Sequence, residues 1–169
     1  MPPPAVNPAR PKVHYSPLEC IAIGFGAGII GVAAMTILEK TEQAITKRPN
    51  SLVPGKTLAT LLGISPASQQ FQANANTWNH AMHWGQGALA ATVRGMMSYY
   101  GIVGPFGSFM FMGVRLLVDQ TLENLTGVGA LPWTWPVNEQ IIDLMHKAVF
   151  AAVTGYVADR YIVGESLNA

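Results

Sequence analysis

The sequence predicts an all-α protein, a four-helix up-and-down transmembrane bundle behind a disordered proline-rich N-terminal tail, and three observations predict it. Residues 20–38 run for nineteen positions without a charge, close to the ~20 apolar residues that a helix needs to cross a bilayer. Charged residues make up 11% of the chain and hydrophobic ones 50%, whereas a soluble domain carries roughly 25% charged residues to keep its surface wet. The charges that do occur gather at the ends of apolar segments, and most of them at one set of ends.

Taken in order, the first 17 residues contain six prolines. Proline removes a backbone donor and blocks helix, so 1–17 reads as a disordered tail and 18–165 as a single membrane domain. The tail does not read as a signal peptide, because no charged segment opens it and the apolar run starts too late. The first span follows at 20–38, closed by Glu39 and Lys40. Residues 44–65 form a polar connection with Lys47, Arg48, Pro49, Pro54 and Lys56, within which 56–62 reads as a short helix on the membrane surface. Ser65 and Pro66 suit a helix start, with serine as cap and proline in the first turn. A long second helix is expected to begin there and to enter the membrane near Trp78. Twenty uncharged residues separate Arg94 from Arg115, but 101–107 packs three glycines around Pro105, which is turn chemistry. Two helices, about 78–100 and about 105–125, are therefore expected rather than one. Residues 126–136 make a further turn, with Trp133 and Trp135 suited to a membrane interface. The last helix is expected from about 138 to 163. Basic residues leave the orientation open: Lys40, Lys47, Arg48 and Lys56 follow the first span, and Arg10, Lys12 and Arg160 lie on the opposite side.

A formal net charge of +1 supplies no field that favours nucleic acid, and none is expected as a partner. Cys20 is the only cysteine, so neither an internal disulfide nor a thiolate metal cluster can form. Gly26, Gly28 and Gly31 match the G-x-G-x-x-G dinucleotide pattern, but no second strand follows and no acidic residue ends one ~20 positions on. Helix packing accounts for them better. Gly24, Gly28 and Gly31 form a stripe of small residues that lets a partner helix approach closely, within the chain or in a homo-oligomer.

The chemistry-bearing residues converge. An up-and-down arrangement brings four helix ends to one membrane side. Glu39 and Glu42 lie at the end of the first helix, and His80 and His83 at the start of the second. Arg115, Asp119 and Glu123 lie at the end of the third, and Glu139, Asp143, His146 and Lys147 at the start of the fourth. Spacings of three and four residues keep each set on one helix face. Three readings of this mouth stay open. It is a satisfied polar rim, with Arg115–Asp119 and Asp143–Lys147 as ion pairs. Or it is a metal site, with His80, His83, Asp143 and His146 as ligands and Glu39 and Asp119 completing a shell that suits iron or zinc. Or it is a metal-free proton-transfer or substrate site, in which His83 or His146 is the base and Arg94 or Arg115 holds an anionic group. Only the metal reading calls for a cofactor. Arg94 lies ~16 Å deeper than His83 at ~1.5 Å per residue. A charge that deep is costly and calls for a function or a buried partner, unless it snorkels to the far surface.

The glycine-rich first span ending in Met35-Thr36, then Glu39-Lys40-x-Glu42-Gln43, Arg48-Pro49, His83-Trp84-Gly85, Arg94-Gly95, Gly104-Pro105, Arg115 with Asp119, Pro132-Trp133-x-Trp135-Pro136 and Asp143-x-x-His146-Lys147 resemble a group of small membrane proteins of bacteria and fungi, broadly YagU-like. The resemblance covers most of 24–160. It implies a polytopic membrane protein and supplies no catalytic assignment. Two functions are therefore expected in competition. One is a structural or accessory integral membrane protein with a polar mouth. The other is a membrane-embedded enzyme, a metal-dependent oxidoreductase or an acid–base isomerase or cyclase, acting on a lipophilic small molecule in secondary metabolism. A transporter subunit is weaker still, because the chain shows no inverted repeats.

Overall fold

The structure, a computed structural model, describes residues 13–164. The start of the expected tail, with Arg10 and Lys12, lies outside the described residues, as do 165–169. Among the described residues there are six α-helices, one 3-10 turn at Pro132–Thr134 and no strand.

Helix α1, Pro17–Thr46, extends beyond the uncharged run at both ends. Ser16 and Glu19 make a capping box: the Glu19 N–H donates to Ser16 Oγ at 3.3 Å, and the Ser16 N–H donates to Glu19 Oε2 at 2.7 Å. Two otherwise unpaired backbone donors are thus satisfied, and Pro17 sits where its missing N–H costs nothing. This corrects the expected tail boundary: Pro17 is helical, and Val13 already packs on the cluster around Cys20. At the other end Lys47 turns left-handed, φ 61°, and its N–H donates to Gln43 O.

Helix α2, Val53–Leu61, buries Gly55, Thr57 and Ala59. It docks on the protein rather than lying loose at a surface. The Gly55 N–H donates to Asn79 Oδ1 at 2.9 Å, and a Cβ on Gly55 would stand 2.8 Å from the Asn79 nitrogen. The helix expected to start at Ser65 does not do so. Ser68 caps a four-residue helix instead, α3 Gln69–Gln72, anchored by the wholly buried Phe71. Asn74, at φ −131° and ψ 22°, then breaks the path before α4.

The remaining helices fall within two or three residues of expectation: α4 Ala75–Tyr99, α5 Gly104–Leu125 and α6 Val137–Ile162. Gly101 and Gly104, at φ 80° and 71°, make the tight turn before α5, a conformation that costs a side chain-bearing residue energy. Helix α1 lies against α4 and α6, and α5 lies against α6 and α4.

These neighbours run antiparallel. On the α1–α4 seam Gly24 faces Ala91 and Gly95, and Gly28 faces Gly87 and Ala88, while Gly31 abuts Phe150 and Thr154 of α6. The glycine stripe is thereby filled by helices of the same chain. Within this chain the stripe is therefore a seam between helices. Mid-length, Val32, Met35, Ala91, Phe111, Phe150 and Ala151 form one core cluster. A second, of Cys20, Ala27, Ala158, Ile162 and Val163, lies toward the start of α1. Among the described residues two helices, α1 and α6, are long and apolar enough to cross a membrane.

Candidate functional site

The end of α1, the starts of α4 and α6 and the end of α5 enclose a cavity of about 470 Å³, within the range of roughly 300–1,000 Å³ typical of small-molecule sites. Glu39, His80, His83, Arg115, Asp119, Glu123, Glu139, Asp143, His146 and Lys147 all line it. The gathering expected from helical spacing is therefore present as geometry.

Each wall is built by local rules. Asp119 stands one turn after Arg115 on α5, with Oδ1 3.1 Å from Arg115 Nη1. The same carboxylate accepts from Gln86 Nε2 at 2.7 Å and lies 3.4 Å from Lys147 Nζ. Lys147 also pairs with Asp143, one turn before it on α6. Both expected i, i+4 pairs are thus formed, and Asp119 joins them across α5 and α6.

On the α1 side, Gln43 Nε2 donates to Glu39 Oε1 at 2.9 Å, and Lys40 Nζ donates to Gln43 Oε1 at 3.0 Å. Thr36 Oγ1 donates to Val32 O at 2.8 Å and lies 3.1 Å from His83 Nε2. A hydroxyl has one proton to give, so with Thr36 donating to Val32 O the His83 tautomer that fits carries its proton on Nε2. His146 is buried, with Nε2 unpartnered within the protein.

Arg115 makes no hydrogen bond, its contact with Asp119 being ionic and off the donor line. Its guanidinium carbon lies 5.4 Å from the Phe150 ring centroid, a cation–π contact.

Two groups at the mouth were not assigned together from sequence. The left-handed Lys47 reverses the chain, and Arg48 folds back to donate to Glu42 through Nη2 at 2.8 Å and Nε at 3.2 Å. The Glu42 carboxylate holds the Arg48 guanidinium above its ordinary pKa. Trp135 lines the cavity and donates from Nε1 to Ala130 O at 2.9 Å.

The expected metal ligands share the cavity without converging. Among the described residues no three His, Cys, Asp or Glu side chains are placed to hold a metal ion. Asp119 is taken by Arg115, Gln86 and Lys147, Asp143 by Lys147, and His83 by Thr36.

Arg94 does not belong to this cavity, which corrects its expected place as an anion holder. It is wholly buried six residues before the end of α4 counted inclusively, and it neither snorkels nor stands alone. Nη2 donates to Asp159 Oδ2 at 2.6 Å and Nη1 to Ser98 Oγ at 2.7 Å. Ser98 Oγ donates on to Asp159 Oδ1 at 2.6 Å, and the Gly104 N–H donates to Asp159 Oδ2 at 2.8 Å. One carboxylate thus ties α4, the turn before α5 and α6 together, with the apolar cluster of Phe111 and Phe150 between it and the cavity.

Compared with protein-family models, with curated proteins and with solved structures, the chain matches none.

Proposed function

We propose that the chain is a small integral membrane protein of accessory type. Its four long helices, α1, α4, α5 and α6, form an up-and-down transmembrane bundle around a polar chamber that opens on one membrane side and receives a small molecule. The observation that supports this is an inverted distribution of side chains. Arg94, Arg115, Asp119, Lys147 and Asp159 are buried, whereas Ile37, Phe106, Phe109 and Leu117 are 66–69% exposed. Charges are almost never buried in soluble proteins unless paired, and broad apolar surfaces there mark contact sites. In lipid the same distribution is the favourable one. Helix α5 illustrates why average hydropathy understates it: Phe106, Phe109 and Leu117 face outward, and Arg115 and Asp119 face inward. The residues that carry the YagU-like resemblance also support the proposal, since most of them line the chamber or build the Arg94 network.

Carbonate extraction of membranes containing the chain tests the proposal. The chain is expected in the pellet, and its release into the supernatant would overturn the membrane reading.

A second reading, a membrane-embedded enzyme acting on a lipophilic small molecule, is favoured by the two imidazoles. His83 presents a free Nδ1 and His146 an unpartnered Nε2 on chamber walls, which is the equipment of acid–base catalysis. Metabolite profiles of cells carrying the wild type, His83→Gln or His146→Gln test it. A product lost in both variants is the expected result, and indistinguishable profiles would dismiss catalysis.

A further inference from the structure

The chamber is stratified by charge. Counted from the mouth ends of their helices at ~1.5 Å per residue, Arg115, Lys147, His146 and His83 lie ~12–15 Å in. On the same scale Glu39, Asp119, Glu123, Glu139 and Asp143 lie only ~3–11 Å in. Both charged residues with the deepest backbone positions are therefore basic, with two imidazoles beside them; the carboxylates start nearer the mouth, and that of Asp119 reaches down to Arg115 and Lys147.

Within that layer Arg115 is the group whose hydrogen-bonding capacity is unused, although its charge is paired with Asp119. It is 4% exposed and its side chain makes no hydrogen bond: Nη1 stands 3.1 Å from Asp119 Oδ1 as an ion pair, and Nε has no hydrogen-bond partner in the protein. A buried donor without an acceptor is unfavourable, so the site favours a ligand that supplies one. Asp119 balances the charge through its ion pair but takes no hydrogen bond from the guanidinium. The guanidinium carbon lies over the Phe150 ring, 5.4 Å from its centroid. His146, four residues before Phe150 on α6, brings a second unpartnered nitrogen to the same cavity.

We propose that this floor binds the carboxylate of a small water-soluble organic acid, held by Arg115 with His146 beside it, its apolar body pointing back past Trp135, Val53 and Ile142 toward the mouth. The inference rests on the chamber reading above and names the ligand class for it. A planar guanidinium matches a carboxylate geometrically, and a charge-assisted hydrogen bond is roughly twice as strong as a neutral one. The apolar wall residues accommodate a hydrocarbon body, and entry from the mouth selects a molecule that dissolves in water.

The test is calorimetric titration of the full chain in nanodiscs, against empty nanodiscs, with three probes: 2-naphthoate, the neutral 2-naphthalenemethanol and inorganic phosphate. Naphthoate is expected to bind about tenfold or more tightly than the alcohol, the scale of one charge-assisted hydrogen bond. Arg115→Lys, which keeps the charge opposite Asp119 and loses the planar fork, should remove that preference and leave alcohol binding unchanged. His146→Gln should reduce it, and supplies the comparison if Arg115→Lys does not fold. Equal binding of acid and alcohol, or no binding of either, overturns the proposal. Displacement of naphthoate by lower concentrations of phosphate overturns the carboxylate assignment. A chain that enters nanodiscs and ignores naphthoate leaves the membrane reading standing. A chain released by carbonate is titrated in buffer with the same probes, so the two failures are separate.

Discussion

At the residue scale, the Arg94–Asp159 pair is where single substitutions should act most strongly. The pair is fully desolvated, and Asp159 also serves Ser98 and Gly104. Removing one partner leaves the other charge buried and unanswered, which costs about 3–5 kcal/mol. Asp159→Asn should lower stability on that scale in detergent unfolding. The double variant Arg94→Met/Asp159→Leu should lose much less, because similar-sized apolar pairs often replace a buried ion pair at little cost. Equal losses in single and double variants would argue that packing, not charge, governs this position. The need for a partner at Arg94 was legible in the sequence, but Asp159 was not. It stands 65 residues away, and beside Arg160 near a helix end it reads as an ordinary interface charge. Arg48 escaped for a related reason: only the left-handed turn at Lys47 brings it back onto Glu42. The cavity residues were legible because helical spacing within each segment and alternation between segments sufficed to place them.

At the element scale, the α1–α4 seam depends on matched small residues. A Cβ on Gly28 would stand 2.9 Å from Ala88 Cα and 3.0 Å from Gly87 O, whereas Gly26 has nothing within 4 Å. Backbone cannot yield as a flexible side chain does, so Gly28→Leu should destabilise by about 1–3 kcal/mol, the usual cost of overpacking. Gly26→Leu should stay within about 0.5 kcal/mol, like other substitutions away from packed contacts. Thermal melts in detergent decide between them, and equal effects would place the stripe against lipid. The stripe on α1 was visible in the sequence, as were α4, α5 and α6 to within a few residues. Its counterpart on α4, Gly87, Ala91 and Gly95, was not recognised, since the expected stripe had two candidate partners and neither was specified. The docking of α2 and the break at Asn74 were hidden for another reason. Both depend on tertiary contacts, Gly55 with Asn79 and the burial of Phe71, that no local pattern encodes.

At the scale of the whole molecule, the up-and-down arrangement puts the 47–52 connection and the 126–136 turn at one end of the bundle, which the proposed topology makes one membrane side. Single cysteines in place of the exposed Ser51 and Thr134, in a Cys20→Ser background, should both label from the same side with an impermeant maleimide. Labelling from opposite sides would mean an odd number of spans between them and would dismantle the chamber. The Arg94 network has a further consequence, for biogenesis. Arg94 is synthesised 65 residues ahead of its carboxylate, a delay of ~3–13 s at ~5–20 residues per second. During that interval the arginine has no counter-charge; insertion scales put a lone arginine at about 2.5–3.5 kcal/mol against entry into lipid at a helix centre, and at less for Arg94, five residues from the end of α4. If the proposed membrane topology holds, the nascent α4 should therefore wait at the translocon for α6, and a chain ended after Leu125 should be a degradation substrate. Pulse-chase should then show opposite signs for one substitution. Arg94→Leu should lengthen the lifetime of the truncated chain and shorten that of the complete one. The same sign in both would mean that the arginine never waits.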